Sequence, residues 1–135
     1  MSRALAASTQ PLTFLAFDFG TRRVGVATGN SMTRTATPLA TVAVEGEARL
    51  AAIAALVEEW RPAALVVGVP FHPDGAAHEN SERARRFGRQ LRARFGLPVH
   101  EVDERYTTTE AKRSGHVDLD AAAAAIILEQ HLAAL

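Results

Sequence analysis

Between Phe14 and Gly29 the apolar positions fall in two short runs around a polar reversal. Phe14 to Phe17 runs into Asp18, Phe19-Gly20-Thr21 turns the chain, and Val24 to Ala27 begins again. Runs of this length bounded by turn residues predict strands over 13–18 and 23–29, paired as a hairpin. Residues 36–44 (ATPLATVAV) alternate and predict a third, partly exposed strand with Pro38 near its start. The period then changes. Leu50, Ile53, Val57 and Trp60 recur at helical spacing and predict a helix from Glu45 to Trp60 that buries them, stopped by Arg61-Pro62. Ala63 to Val69 is continuously apolar, the pattern of a central parallel strand.

Turn residues fill 71–80, and Ser81-Glu82 opens a helix to about Phe95. Ala84, Phe87, Gly88, Leu91 and Phe95 share one of its faces. Arg85, Arg89 and Arg92 line the opposite one, with Arg86 beside them, as a solvated outer face would. Val99 to Asp103 predicts a fifth strand. Thr107 and Glu110 make a capping box for a short helix that Ser114-Gly115 breaks, and Val117 to Leu135 predicts the final helix. Its alanines, 121 to 125, allow close approach to a sheet. The order β-β-β-α-β-α-β-α, with the short helix before the last, predicts an α/β fold. Its sheet is mixed and five-stranded, a three-stranded antiparallel meander plus parallel strands, with helices on both faces.

At 135 residues the chain predicts one domain over 1–135, with residues 1–11 a loose N-terminal extension. A net charge of +0 gives no global pull toward nucleic acid, although the basic side chains other than Lys112 are all Arg, which suits bidentate phosphate contacts. No run approaches the roughly 20 apolar residues of a membrane span. The absence of Cys excludes disulfides and cysteine-ligated zinc, and is consistent with a reducing cytoplasm. His72, His78, His100, His116 and His131 lack ligand spacing and read as surface or loop residues.

Acidic residues change the picture. Asp18 ends the first strand, Asp103-Glu104 end the fifth, and Asp120 opens the last helix. With the first, fourth and fifth strands parallel, these ends share one sheet edge. Clustered carboxylates repel unless divalent cations lie between them, and oxygen-only ligation suits Mg²⁺ or Mn²⁺. Two such ions form a device for cleaving phosphodiesters. Each acid also has an ordinary use. Asp18 could close an Asx turn, Glu104 could pair with Arg105 or Arg22, and Asp118 and Asp120 could cap the last helix.

Four blocks in order, Leu15–Ala27 (LAFDFGTRRVGVA), Leu65–Gly75 (LVVGVPFHPDG), Val102–Ala111 (VDERYTTTEA) and Asp120–Leu128 (DAAAAAIIL), carry a specific resemblance. The chain resembles the YqgF family, the Holliday junction resolvase or pre-16S rRNA nuclease group, within the ribonuclease H-like superfamily. The resemblance implies a ribonuclease H-like fold and a catalytic, metal-holding triad of Asp18, Glu104 and Asp120, with Asp103 and Asp118 as further candidate ligands. It also implies a two-metal site for Mg²⁺ or Mn²⁺. Family members often carry a longer segment between the TTxxA block and the last helix, where only Lys112 to Leu119 lies here.

The leading expectation is thus a cytoplasmic metal-dependent nuclease, monomeric or homodimeric. Its first substrate would be RNA, at the 5′ end of pre-16S rRNA, and its second branched or single-stranded DNA. Candidate phosphate contacts are Thr21, Arg22, Arg23, Arg105, Thr107 and Thr108, with the Arg85-Arg89-Arg92 row as an extension. A non-catalytic binding module would not need all three acids. An actin-like phosphotransferase would need a second phosphate loop and a far longer chain.

Overall fold

A computed structural model describes residues 11–72, 74–104 and 118–135. The predicted short helix, with Arg105, Thr107 and Thr108, lies outside the described residues, as does nearly all of the predicted N-terminal extension. Five strands are present: β1 (Thr13–Phe19), β2 (Val24–Asn30), β3 (Ala36–Val42), β4 (Ala64–Val69) and β5 (Val99–Asp103). The described helices are α1 (Gly46–Trp60), α2 (Ser81–Phe95) and α3 (Leu119–Ala133). The third strand stops two residues earlier than expected, and the final helix starts two later.

The sheet order is β3-β2-β1-β4-β5, with β2 antiparallel to both β1 and β3, and β1, β4 and β5 mutually parallel. Placing β1 at the centre explains why Leu15, Ala16 and Phe17 are all fully buried. Alternation splits the core into two layers. Leu15, Phe17, Val24, Val26, Leu65 and Val67 pack with Ile53 of α1 and Ala84, Phe87 and Leu91 of α2. Phe14, Ala16, Ala64 and Val66 pack with Ile127, Leu128 and Leu132 of α3 on the opposite face. All five alanines from 121 to 125 are buried, so α3 does lie against the sheet as their size allows.

The expected stripe of α1 is only partly right. Ile53 is fully buried, whereas Leu50, Val57 and Trp60 are half-buried at the margin of the core. Arg49 takes the buried place instead, because its guanidinium finds backbone acceptors: Nε donates to the Val44 carbonyl and Nη2 to the Thr21 carbonyl, each at 3.0 Å. Helix α1 ends on Arg61 in the left-handed conformation, and α2 ends likewise on Gly96.

Two histidines expected at the surface have structure around them. His131 of α3 is half-buried, stacks on His100 of β5 at 4.8 Å, and meets Phe14 edge-on at 5.6 Å. Burial first, and the neighbouring His100 second, push its pKa below the ordinary imidazole range. The folded state therefore binds fewer protons here than the unfolded chain. The associated stability is present above the unfolded value of about 6.5 and is lost as pH falls through the lower folded value. Because the ring is only partly buried and remains screened by solvent, the loss should be small, on the order of 1–3 °C in Tm. Melting curves at pH 7.5 and 5.5 should show His131→Leu losing less Tm than the wild type; equal losses would remove His131 from the account.

Candidate nucleic-acid and acid site

The carboxyl ends of β1 and β4 and the starts of β2 and α3 meet at one edge of the sheet. Register places Asp18 of β1 opposite Gly25 of β2 and Gly68 of β4, so the half-buried acid is flanked on both sides by residues without side chains. Phe14 and Ala16 face α3, and alternation puts Asp18 on that same face. Both glycines are filled from above. A Cβ at Gly25 would overlap the backbone carbonyl of Asp120, and one at Gly68 would meet the Ile127 side chain and sit 3.1 Å from Oε2 of Glu104. Asp18 therefore lies between the backbone of Asp120 on one side and the carboxylate of Glu104 on the other.

The two acids that close β5 are sorted by the same alternation. Val102 belongs to the α3-side core, so alternation turns Asp103 to the other face, while Glu104, just past the end of β5, has its Oε2 beside Gly68 on the α3 side. Glu104 is buried, 8 % exposed, which for a carboxylate makes nearby cations or donors energetically necessary. Asp118 serves as the N-cap of α3: its Oδ1 accepts from the Ala121 N–H at 3.0 Å and from the Thr41 hydroxyl at 2.6 Å. Thr41 pairs with Gly25 in the sheet, so this cap also fixes where Asp120 enters.

Asp120, in the first turn of α3, forms an ion pair with Arg23, Nε to Oδ2 at 3.2 Å. Thr21, Arg22 and Arg23 line an open cavity of about 710 Å³ together with Gly20, Glu45 and Asp120. Arg49 holds this turn from beneath through the Thr21 carbonyl. The Arg85-Arg89-Arg92 row lies away from the cavity. Arg85 pairs with Glu101 and Arg89 with Glu82, and Arg92 borders a separate pocket near the C-terminus of α2.

Thr41, Arg49, Gly25 and Gly68 were not singled out from sequence. A helical pattern with an arginine at a core-facing position was the available signal for Arg49. The glycines become informative only once register sets them beside Asp18.

Asp18, Glu104 and Asp120 offer only oxygen, the donor type that hard divalent cations take. The recess over Gly68, which a Cβ would fill, leaves room for one of those carboxylates. Among the described residues no three His, Asp or Glu side chains come together closely enough to hold a metal ion. The donor chemistry fits a divalent ion; the acids stand as neighbours around Asp18, with Asp120 held by Arg23.

A family model described as RuvX: Holliday junction resolvase matches residues 12–134. The chain belongs to the RuvX family. A Polaromonas protein named "Putative pre-16S rRNA nuclease" is 68% identical over 123 residues, covering 91% of this chain and 89% of that one. A protein of the same name from Paraburkholderia phytofirmans is 56% identical over 127 residues, covering 89% and 87%. Among solved structures, Thermus thermophilus RuvC in complex with a Holliday junction substrate superposes with a TM-score of 0.56. At 19% identity, it covers 91% of this RuvX chain and 94% of its own, a likeness of fold. The ribonuclease H-like architecture expected from the four sequence blocks is therefore the fold of this RuvX protein.

Proposed function

We propose that this RuvX protein is a divalent-metal-dependent nuclease acting on RNA, with the 5′ end of pre-16S rRNA as its substrate and the cytoplasm as its place of action. The observation that carries the reading is the position of Asp18, set between Gly25, whose vacant space holds the Asp120 backbone, and Gly68, whose space is shared by the Ile127 side chain and the Glu104 carboxylate. The names of the relatives, at 68% and 56% identity, support RNA over other phosphodiesters.

Asp18, Glu104 and Asp120 are the residues that would hold Mg²⁺ or Mn²⁺, which when bound supplies neutralisation of phosphate charge and activation of water. The chain's own residues do the rest. Arg22, exposed on the β1–β2 turn, and the Thr21 hydroxyl face the open cavity, where a phosphate can be oriented toward the acids. Arg23 compensates the charge of Asp120, and Arg49 fixes the turn's height. A Holliday junction is the second reading, carried by the description of the family model.

Purified protein in Mg²⁺ or Mn²⁺ should cut a structured precursor RNA faster than single-stranded RNA, single-stranded DNA or a four-way junction, and EDTA should abolish the cutting. Preference for the junction, with symmetric paired cuts, would replace the RNA reading; activity unaffected by EDTA would sink metal dependence.

A further inference from the structure

On the other face of the sheet, at the same carboxyl-end edge, the first turns of α1 and α2 stand apart around Phe19. They leave a cavity of about 490 Å³ lined by Phe19, Arg49, Arg83, Arg86, Phe87 and Gln90. Three guanidinium groups thus border one recess. Arg83 and Arg86 are i,i+3 neighbours on the exposed surface of α2. Arg83 donates to the neutral Asn80 side chain at 3.0 Å; among the described residues neither Arg83 nor Arg86 makes an ion pair, although Glu82, held by Arg89, lies near enough to Arg86 to feel its charge. The acid on the rim, Glu47, does not cancel this charge, because Arg94 already holds it at 2.8 Å. Arg49 is buried beneath, its guanidinium 5.6 Å from the Phe19 ring centroid.

The recess adjoins the acid site. Phe19 lines one cavity and Gly20 the other; Gly46 lines one and Glu45 the other. Arg49 spans both, lining this recess while donating to the Thr21 carbonyl of the turn above the acids. A strand lying over Asp18 that continues across the end of β1 arrives at Arg83 and Arg86. Paired arginines without an ion-pair partner of their own, beside an apolar wall, match a phosphodiester backbone with its attached base.

We infer that the α1–α2 recess is a second subsite for the nucleic-acid strand, in which Arg83 and Arg86 hold backbone phosphates of nucleotides flanking the bond to be cut. The inference rests on the nuclease reading and extends it to residues outside the four sequence blocks. Arg83 and Arg86 are positioning residues for the strand, remote from the reacting phosphate.

The test is direct binding of labelled single-stranded RNA oligomers of increasing length in EDTA, so that nothing is cut. The wild-type affinity should climb once an oligomer is long enough to reach both cavities. The double variant Arg83→Ala/Arg86→Ala should bind long oligomers about tenfold more weakly, keep its affinity for the shortest, and lose about 1.4 from the logarithmic salt slope, 0.7 for each phosphate contact removed. Arg83→Lys/Arg86→Lys should recover most of the loss. Arg61→Ala/Arg92→Ala removes the same charge at the far ends of α1 and α2 and should match the wild type. If the recess variant behaves like that control while the wild type binds and cuts RNA, the subsite is wrong and the nuclease reading stands. If the wild type binds no strand of any length, both fall.

Discussion

Replacing Asp18 by Asn is expected to reduce cleavage at least about 100-fold while the protein melts at or above the wild-type temperature. Asparagine keeps the shape between Gly25 and Gly68 but removes the charge that draws a divalent ion among Glu104 and Asp120. Loss of a supporting partner of a metal ligand already costs 10- to 100-fold in affinity or activity, and loss of a ligand should not cost less. The sign of the stability change follows from the same crowding. Acids gathered at one edge repel without a cation, so removing one charge relieves the folded state. Cleavage rates and thermal melts on the purified variant decide the matter. A wild-type rate with a normal melt would remove Asp18 from the catalytic site, whereas a collapsed melt would mean that Asp18 is structural.

The element pattern was legible because β1, β4 and α2 carry unambiguous periods, and the bounds of α2 and β5 agree with those read from sequence. The acids stand out in sequence for a different reason: Asp18 and Glu104 close strands and Asp120 opens the last helix, where a carboxylate serves either as a cap or ion-pair partner or as a ligand. What could not be read was relative position. Nothing in one dimension distinguishes Gly25 and Gly68 from turn glycines, since their role depends on pairing with Asp18 across two different strands. Arg49 escaped for a related reason. A cation at a core-facing position reads as an interruption of the stripe until the Val44 and Thr21 carbonyls are seen to receive it. The pairing of Arg23 with Asp120 joins residues almost a hundred positions apart and has no local signature.

Gly25→Ala is expected to be the more damaging substitution to the protein as a whole. The added methyl would overlap the Asp120 carbonyl and come within 2.9 Å of the Ala121 backbone nitrogen, neither of which can swing aside as a side chain could. The first turn of α3 must lift from the sheet, breaking the Asp118–Thr41 contact and carrying Asp120 away from Asp18. Overpacking alone costs about 1–3 kcal/mol, equivalent to roughly 5–15 °C in Tm for a domain of this size. Cleavage should fall further than the melt explains, since the displaced residue is one of the acids. Gly88→Ala supplies the contrast. Its methyl would meet Val99 at 3.4 Å, an ordinary contact within a helix, and the gain in helix propensity should leave stability unchanged or up to about 1 kcal/mol higher. Similar melts and rates for the two variants would show that α3 does not depend on the gap at Gly25.

The placement of α3 also bears on how the protein comes into being. Its principal neighbours are β1, β2 and β3, all made early, while the helix itself is made after β5. The three-stranded meander is local and can assemble quickly, but joining β1 to β4 and then to α3 closes loops of long sequence separation, which slows the search for the native topology. During translation the sheet's α3 face, with Phe14, Ala16 and Val66, stays open to solvent until the helix arrives. Asp120 arrives with it. A nascent or α3-truncated chain therefore holds Asp18 without Asp120, and the candidate site is complete only once α3 has been made and has docked.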